Sequence, residues 1–338
     1  MHMADALVVP IVAGTMYACS TLTAGYSINK IKLSEEARKI PVMGVMGAFV
    51  FAAQMINFTI PGTGSSGHLG GAVMLSAILG PYAAFITMIG VLMVQCLLFA
   101  DGGLLALGCN IWNMAFYGCF ISSFLIWKPI MGKGFSKKKI MIASILASIV
   151  SLQLGAFSVV LETTASRITE LPFVAFVSIM QPIHLAIGVV EGLITALVLI
   201  FLYEARPELL WSGKEENTNK TKPGRLSFRK TIAVLVLLTV IISGIISLFA
   251  SAFPDGLEWS ISKVAGGAEL ENEGGLHTLL AKLQEKTALF PDYAFRESDA
   301  ALGTSFSGIL GGVVVLLFCI LIGRMIKWIR KRRVTQNE

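Results

Sequence analysis

The chain has 338 residues, of which 55% are hydrophobic and only 14% are charged, and its mean hydropathy is +0.74. Soluble globular proteins carry about 25% charged residues, so this composition excludes an ordinary cytosolic enzyme. The formal net charge of +6 is interpreted as a consequence of membrane topology, and no nucleic-acid partner is predicted. The five cysteines lie in apolar stretches without metal-type spacing, and we expect them to pack as small core residues.

Long apolar runs predict an all-α membrane protein. A crossing helix needs about 20 apolar residues, and nine runs are candidates, at about 6–28, 41–57, 65–80, 82–100, 104–127, 140–157, 183–203, 231–252 and 306–323. The third run is short and rich in glycine. A polar stretch at 205–230 predicts a cytoplasmic linker. The sequence therefore predicts a seven-helix bundle in 1–204, followed in 231–338 by a two-helix transmembrane hairpin with an extracytoplasmic loop.

The distribution of charge predicts which side of the membrane each loop faces. With nine crossings, the loops of one side hold 22 of the 27 Lys and Arg residues, and those of the other side hold five. Because cytoplasmic loops carry an excess of Lys and Arg, we expect a multi-pass protein of the cell membrane with its N-terminus outside and its C-terminus in the cytoplasm. No cleavable signal peptide is expected, because the first residues lack a positively charged segment.

The first two residues form a candidate metal chelator. The α-amine of Met1, the backbone amide nitrogen of His2 and the imidazole of His2 can close a tridentate chelate of small rings. An all-nitrogen donor set with a deprotonated amide favours a square-planar ion, which indicates Ni(II) or Cu(II). The chelate requires the initiator methionine to be retained, and the bulky side chain at position 2 favours its retention.

A fourth donor is needed, and two histidines are candidates. His68 belongs to the glycine-rich segment 61–71, where glycines let the backbone bend close to another group. His184 lies in the seventh predicted helix, and Glu191 follows seven residues later on the same face. Ionisable groups within a membrane usually face the bundle interior. We interpret His184 and Glu191 as a polar pair with a structural or coupling role, and a ligand role for His184 is the alternative.

Several short motifs recur in an order that is typical of one transporter family. They are Met1-His2-Met3-Ala4-Asp5, Gly67-His68-Leu69-Gly70-Gly71, Leu79-Gly80-Pro81, Gln95 with Phe99-Ala100-Asp101-Gly102-Gly103, Asn110, Asn113-Met114, and His184-x-x-Ile187-Gly188-x-x-Glu191-Gly192. Together they resemble the CbiM/NikM family, the substrate-specific (S) components of nickel/cobalt energy-coupling-factor (ECF) transporters. Pro254-Asp255-Gly256-Leu257-Glu258 is similar to the PDGLE motif of the small accessory subunit (CbiN/NikN). The chain therefore resembles a fusion of both.

The resemblance implies that Met1, His2 and His68 hold the metal, which favours His68 over His184. The residues implied to support the site or to order the loop around it are Asp5, Gln95, Asp101, Asn110 and Asn113. The transported substrate is expected to be Ni(II), with Co(II) as the alternative, and no organic cofactor is expected. The implied partners are a transmembrane coupling (T) subunit and ATP-binding cassette ATPase subunits, in addition to membrane lipid.

The chain is predicted to be a transporter subunit and not an enzyme. It has no Gly-x-x-x-x-Gly-Lys-Ser/Thr phosphate-binding loop, so ATP hydrolysis is assigned to the partner subunits. Gly14-x-x-x-Ala18 and Gly188-x-x-x-Gly192 fit close helix packing, either with the coupling subunit or within the bundle.

Two other classes of protein compete with this interpretation. A gradient-driven secondary metal transporter would be favoured by an inverted repeat, which the sequence does not show. An intramembrane serine protease would use Ser66 of Gly64-Ser65-Ser66-Gly67 as nucleophile and His184 as base.

Overall fold

The computed structural model describes residues 1–31, 39–212, 224–266, 274–295 and 301–335. This part of the chain forms eleven helices and one short β-hairpin. The helices are α1 (Pro10–Lys30), α2 (Lys39–Gln54), α3 (Ala72–Leu79), α4 (Pro81–Phe99), α5 (Leu107–Met131, largely π-helical), α6 (Lys137–Ala165), α7 (Phe173–Ala205), α8 (Phe228–Gly244), α9 (Gly256–Ala265), α10 (Gly275–Thr287) and α11 (Ala301–Thr335). The hairpin pairs β1 (Phe58–Ile60) with β2 (Ser65–Gly67) in antiparallel register.

Six of the described helices are long and apolar enough to cross a membrane. They are α4, α5, α6, α7, α8 with the 3₁₀ turn that follows it, and the Gly303–Ile329 portion of α11. The all-α membrane architecture predicted from the sequence is therefore confirmed, and α1–α7 form the predicted seven-helix bundle. Two short helices, α9 and α10, lie in the loop between α8 and α11.

The segment 65–80 does not form one crossing helix. It begins with β2, continues as an irregular loop, and only then enters α3, whose eight residues span about 12 Å. The end of α3 lies beside the start of the linker, since the N–H of Trp211 donates to the Ala77 carbonyl at 2.8 Å. The loop before α3 thus occupies the half of the bundle that faces the N-terminus. Irregular backbone at membrane depth is tolerated where it is buried in protein.

Helix α7 begins ten residues earlier than the predicted crossing at 183–203. It runs continuously through Pro182, because neighbouring groups in a bundle can satisfy the backbone that a proline disrupts. The face with Gly188 and Gly192 packs directly on α6: a Cβ at Gly192 would lie 2.5 Å from the Cα of Ile145. Of the two alternatives for this small-residue pattern, the structure shows packing within the bundle.

The hairpin of α8 and α11 packs on the seven-helix bundle. Gly311 of α11 faces Phe51 of α2, and a Cβ there would lie 2.2 Å from Phe51 Cζ. Gly44 of α2 faces Ile320 of α11, and a Cβ at Gly44 would lie 2.8 Å from Ile320 Cγ1. Glycines on both helices therefore allow close approach, and this packing brings the loop after α8 to the end of the bundle that contains the N-terminus.

Candidate metal centre

The N-terminus lies inside the protein. Met1 is 5% exposed and Met3 is fully buried. The N–H of Met3 donates to Asn110 Oδ1 at 2.7 Å, and Asn110 Nδ2 donates back to the Met3 carbonyl at 3.1 Å. The N–H of Gly103 donates to the same carbonyl at 2.8 Å. These bonds hold the first residues against α5 and the loop before it, so the amino group has a defined position.

The amino group of Met1 lies 2.9 Å from Nε2 of His68. Nδ1 of His68 lies 3.1 Å from the Leu69 carbonyl, which can only accept, so Nδ1 carries the ring proton and Nε2 presents a lone pair. Burial, reinforced by the N-terminal charge, lowers the pKa of His68 to about 3. Metal–nitrogen bonds of about 2.0 Å place adjacent donors of a square plane about 2.8 Å apart. The separation of Met1 N and His68 Nε2 therefore suits two adjacent metal ligands.

The imidazole of His2 lies against the same pair but is turned towards other partners. Its ring stacks on His68, with centroids 5.3 Å apart and 20° between the planes. Nδ1 lies 3.1 Å from Asp101 Oδ1, and Nε2 lies 3.3 Å from Gln95 Oε1. Only Nδ1 can close a six-membered chelate ring with the His2 amide. Metal binding by the predicted donor set therefore requires His2 Nδ1 to leave Asp101 and to bind the ion instead.

Buried amides connect His2 to the loop that carries His68. Gln95 Nε2 donates to Gln54 Oε1 at 2.9 Å, and Gln54 Nε2 donates to the Gly70 carbonyl at 2.9 Å. Burial lowers the pKa of His2, which favours the neutral ring that binds a metal. The two predicted supporting residues Gln95 and Asp101 therefore contact His2 directly.

The other predicted supporting residues contact backbone and side chains around the site. Asp5 Oδ1 accepts the N–H of Ala106 at 3.0 Å, and Asn110 brackets Met3 as described above. Asn113 Nδ2 donates to Glu162 Oε2 at 2.7 Å and lies 3.5 Å from the sulfur of Met3. These side chains fix the N-terminal residues and the loop between α4 and α5.

His184 and Glu191 lie deeper in the bundle and have separate partners. His184 Nδ1 donates to the Met180 carbonyl at 2.8 Å, and Glu191 Oε1 accepts the N–H of Gly71 at 3.0 Å. The Glu191 carboxylate therefore holds the loop that presents His68. The hydroxyl of Ser66, considered above as a protease nucleophile, is fully buried and donates to the Phe253 carbonyl at 2.7 Å.

Asp255 was not placed in the site by the sequence analysis. Asp255, which begins the PDGLE-like motif's helix α9, places Oδ2 2.8 Å from the Met1 amine and 3.8 Å from His68 Nε2. Its other oxygen caps α9, because Oδ1 accepts the N–H groups of Leu257 and Glu258 at 2.9 Å each. Burial acts to raise the pKa of Asp255, but the charge and the hydrogen bond of the N-terminal ammonium outweigh it and hold the pKa well below its usual range.

The loop between α8 and α11 contacts the site at further points. The N–H of Ser66 donates to the Pro254 carbonyl at 2.8 Å, which joins the hairpin to the PDGLE-like motif. Tyr293 donates its hydroxyl to Asp101 Oδ2 at 2.6 Å, and Gln284 Nε2 donates to the Gly102 carbonyl at 2.7 Å. The Asp-x-x-Glu capping pattern of 255–258 was a sequence signal for a helix start, but nothing local indicated that it would meet Met1.

An open cavity of about 540 Å³ leads to His2 from the surface. Five carboxylates line it, those of Asp5, Asp101, Asp255, Glu258 and Asp292. In the described part of the chain, no group of three or more His, Cys, Asp or Glu side chains is placed to hold a metal ion. The donors that come together are instead two imidazoles and the backbone nitrogens of the first two residues.

Comparison with known proteins assigns both parts of the chain. Residues 2–209 match the family model CbiM, described as the cobalt uptake substrate-specific transmembrane region. The chain belongs to the CbiM family. Residues 229–328 match the PDGLE domain model, so this CbiM-family chain carries a PDGLE domain at its C-terminal end.

Some relatives of this CbiM-family chain match it over nearly its whole length. A fused NikMN protein of Archaeoglobus fulgidus is 32% identical over 320 residues, which covers 94% of this chain and 96% of that protein. The fused nickel transport protein NikMN of Rhodobacter capsulatus is 27% identical, with 94% and 95% covered. The crystal structure of a truncated transition metal transporter matches 60% of this chain and 99% of its own, with 29% identity and a TM-score of 0.53. Membership in a nickel and cobalt transport family is therefore shown.

Proposed function

We propose that this chain captures Ni(II), with Co(II) as the alternative substrate, outside a prokaryotic cell membrane and passes it inward as the S component of an ECF transporter. The observation that carries this proposal is the 2.9 Å separation between the buried Met1 amine and His68 Nε2. A free N-terminus held inside a protein, against a neutral imidazole, has the arrangement of a metal-ligand pair. The relatives described as nickel transport proteins support the choice of substrate.

The donor set explains why nickel is preferred as the proposed substrate. The Met1 amine, the His2 amide, His2 Nδ1 and His68 Nε2 are four nitrogens, and a planar all-nitrogen set suits Ni(II). Binding releases protons, because the amine and the amide must both give up hydrogen to coordinate. The Asp255 carboxylate, 2.8 Å from the ammonium, is placed to accept a hydrogen bond until the metal arrives.

The open cavity supports access of the metal from the outside. Its five carboxylates form a negatively charged funnel that attracts a divalent cation. The N-terminal side of the protein is the side with only five of the 27 Lys and Arg residues. By the positive-inside rule it faces outward, so the funnel opens towards the medium and the linker faces the cytoplasm.

The exposed face of α1 supports docking of the coupling subunit. Gly14 and Ala18 are both exposed, and a Cβ at Gly14 would meet no atom within 4 Å. Ile11 and Leu22 on the same helix are 82% and 74% exposed. Small residues between apolar ones let another helix approach closely. In this proposal the coupling subunit binds α1, and the ATPase subunits drive reorientation of the bundle.

Nickel titration of purified variants tests the proposal. Replacement of His2 by alanine, or of His68 by alanine, removes an imidazole donor and should abolish the tight nickel equivalent expected of the unmodified chain. His277→Gln is the matched control, because His277 is also a buried histidine but binds the Val8 carbonyl instead. If both altered chains bind nickel as tightly as the control, the N-terminal site is wrong. A separate uptake assay tests the transporter class, and in it nickel uptake should require both ATP and the partner subunits.

A further inference from the structure

The two helices in the loop between α8 and α11 expose side chains of opposite character. The exposed side chains of α9 are polar, namely Glu258, Ser262 and Lys263. Helix α10 instead exposes three leucines, Leu276 at 41%, Leu279 at 62% and Leu283 at 48%. A contiguous apolar surface on an otherwise polar loop marks a contact with something other than water.

The three leucines form one stripe that points away from the bundle. Their spacing of three and four residues places them on one face of α10. The opposite side holds the helix to the protein: His277 Nε2 donates to the Val8 carbonyl at 3.0 Å, and Gln284 Nε2 donates to the Gly102 carbonyl at 2.7 Å. The stripe lies roughly 120° around the helix axis from this packed face, so the bundle does not cover it.

Helix α10 lies beside the last turn of a membrane-spanning helix. Gln284 Nε2 also donates to the Cys96 carbonyl at 3.0 Å, and Cys96 lies three residues before α4 ends at Phe99, which is about 4.5 Å along a helix. Just after α10, the N–H of Phe290 donates to the Leu98 carbonyl at 3.1 Å. These bonds place α10 where the apolar surface of α4 ends, which is the depth of a membrane–water interface.

Two lysines border the leucine stripe on one side. Lys282 follows Leu279 by three residues, and Lys286 follows Leu283 by the same spacing, so each lysine neighbours a leucine on the helix surface. Both lysines are exposed. The stem of a lysine can lie along apolar surface while its ammonium reaches a polar layer. A leucine face bordered by lysines is typical of a helix that lies in the plane of a membrane surface.

We propose that α10 lies in the membrane–water interface at the N-terminal end of the bundle, with its leucine stripe among the acyl chains and Lys282 and Lys286 at anionic lipid headgroups. Ala281 and Gln284 of α10 line the open cavity that leads to His2. Contact with the membrane therefore anchors one wall of that cavity. This inference goes beyond the proposed function, because it holds whichever metal the chain binds.

Nitroxide labels on single cysteines test this placement. The chain alone is reconstituted in nanodiscs of phosphatidylcholine and phosphatidylglycerol, with Cys19 replaced by serine because the other four native cysteines are buried. Collisions of each label with oxygen, which dissolves in lipid, are compared with its collisions with chromium oxalate, which stays in water. We expect a several-fold higher oxygen-to-oxalate ratio for Leu279→Cys than for Thr278→Cys, the matched control at an exposed position of α10 outside the stripe.

The position of the label on a second helix separates membrane contact from a general effect of the loop. Ser262→Cys, on the polar exposed face of α9, should give a low ratio like that of Thr278→Cys. Reversal of Lys282 and Lys286 to glutamate should lower the ratio at Leu279→Cys, because the reversed charges are repelled by phosphatidylglycerol.

Each result decides for or against the membrane contact. A high ratio at Leu279→Cys with low ratios at both control positions supports it. Equal ratios at Leu279→Cys and Thr278→Cys overturn it, and shielding of the Leu279→Cys label only after the coupling subunit is added would assign the stripe to a protein partner instead. An unchanged ratio after charge reversal overturns the headgroup contact. None of these readouts depends on nickel binding, so they are independent of the test of the N-terminal site.

Discussion

The carboxylate of Asp255 lies 2.8 Å from the amino group of Met1, although 254 positions separate them in the sequence. The pair joins the first residue of the seven-helix bundle to the first turn of the PDGLE domain. Both groups are largely shielded, with side-chain exposures of 5% and 15%. The PDGLE domain therefore contributes a charged group to the candidate metal centre.

Removal of the Asp255 side chain should destabilise the protein strongly. Asp255→Ala leaves the ammonium of Met1 without its buried partner, which typically costs about 3–5 kcal/mol, and it also removes the cap of α9. Thermal unfolding in detergent should show this loss. Ser136→Ala is the control for capping alone, because Ser136 accepts the N–H of Lys139 at the start of α6 and a lost cap costs about 1 kcal/mol. Equal shifts in the two variants would contradict a stabilising ion pair.

A side chain at Gly256 should displace the PDGLE-like motif from α7. A Cβ there would lie 2.7 Å from Ile187 Cδ1, closer than packed atoms allow. Cysteines at Thr59 and Ser251, whose hydroxyl oxygens are 2.9 Å apart, should form a disulfide readily in the parent chain and more slowly with Gly256→Ala. Gly275→Ala is the control, because a Cβ at Gly275 meets nothing within 4 Å. Equal rates of disulfide formation in the parent, Gly256→Ala and Gly275→Ala chains would contradict displacement of the motif by a side chain at position 256.

Acid should destabilise the folded chain through His68. Burial lowers the pKa of His68 to about 3, whereas the unfolded side chain titrates near 6.5. The folded state therefore binds fewer protons between these values, so its stability contribution is complete above about pH 6.5 and is lost as the pH falls towards 3. The slope for one group approaches about 1.4 kcal/mol per pH unit. Unfolding of His68→Gln at pH 7.5 and 4.5 should show a smaller acid effect than the parent chain; an equal effect would assign it to other groups.

A bulky residue on the exposed face of α1 should weaken assembly with the coupling subunit. Ala18→Leu fills the gap beside Gly14 and should reduce co-purification of the coupling subunit at least fivefold, while nickel binding by the isolated chain is unchanged. Ala233→Leu makes the same change at an exposed position of α8 and serves as the control. If Ala18→Leu co-purifies with the coupling subunit as well as the parent chain does, the docking surface lies on another helix.

Long apolar runs made most of the helices predictable from the sequence. The expected crossing at 82–100 agrees with α4 at Pro81–Phe99, because Pro81 starts the helix and Ala100 leaves it with a φ of +54°. The start of α7 was predicted ten residues late, since a proline usually ends a helix in water but is tolerated within a packed membrane bundle. Helix α3 was predicted too long because apolar composition alone does not reveal where a buried loop replaces a helix.

The candidate site was predictable where its residues are close to the chain start or carry recognisable motifs. Met1, His2 and His68 lie together in the structure, and Gln95 and Asp101 contact His2. The contact of Asp255 with Met1 depends on how the hairpin of α8 and α11 docks against α2, and no local pattern encodes that docking. For the same reason Tyr293 could not be placed beside Asp101 before the fold was known.

The most direct test of the central claim is X-ray absorption at the nickel edge of the nickel-loaded chain. We predict four nitrogen donors in a square plane, at about 2.0 Å, two of them imidazoles. His68→Ala should remove one imidazole from the first coordination shell, and the His277→Gln control should leave the spectrum unchanged. A six-coordinate, oxygen-rich nickel, or a spectrum that His68→Ala does not alter, would contradict capture of the metal by the N-terminal amine, His2 and His68.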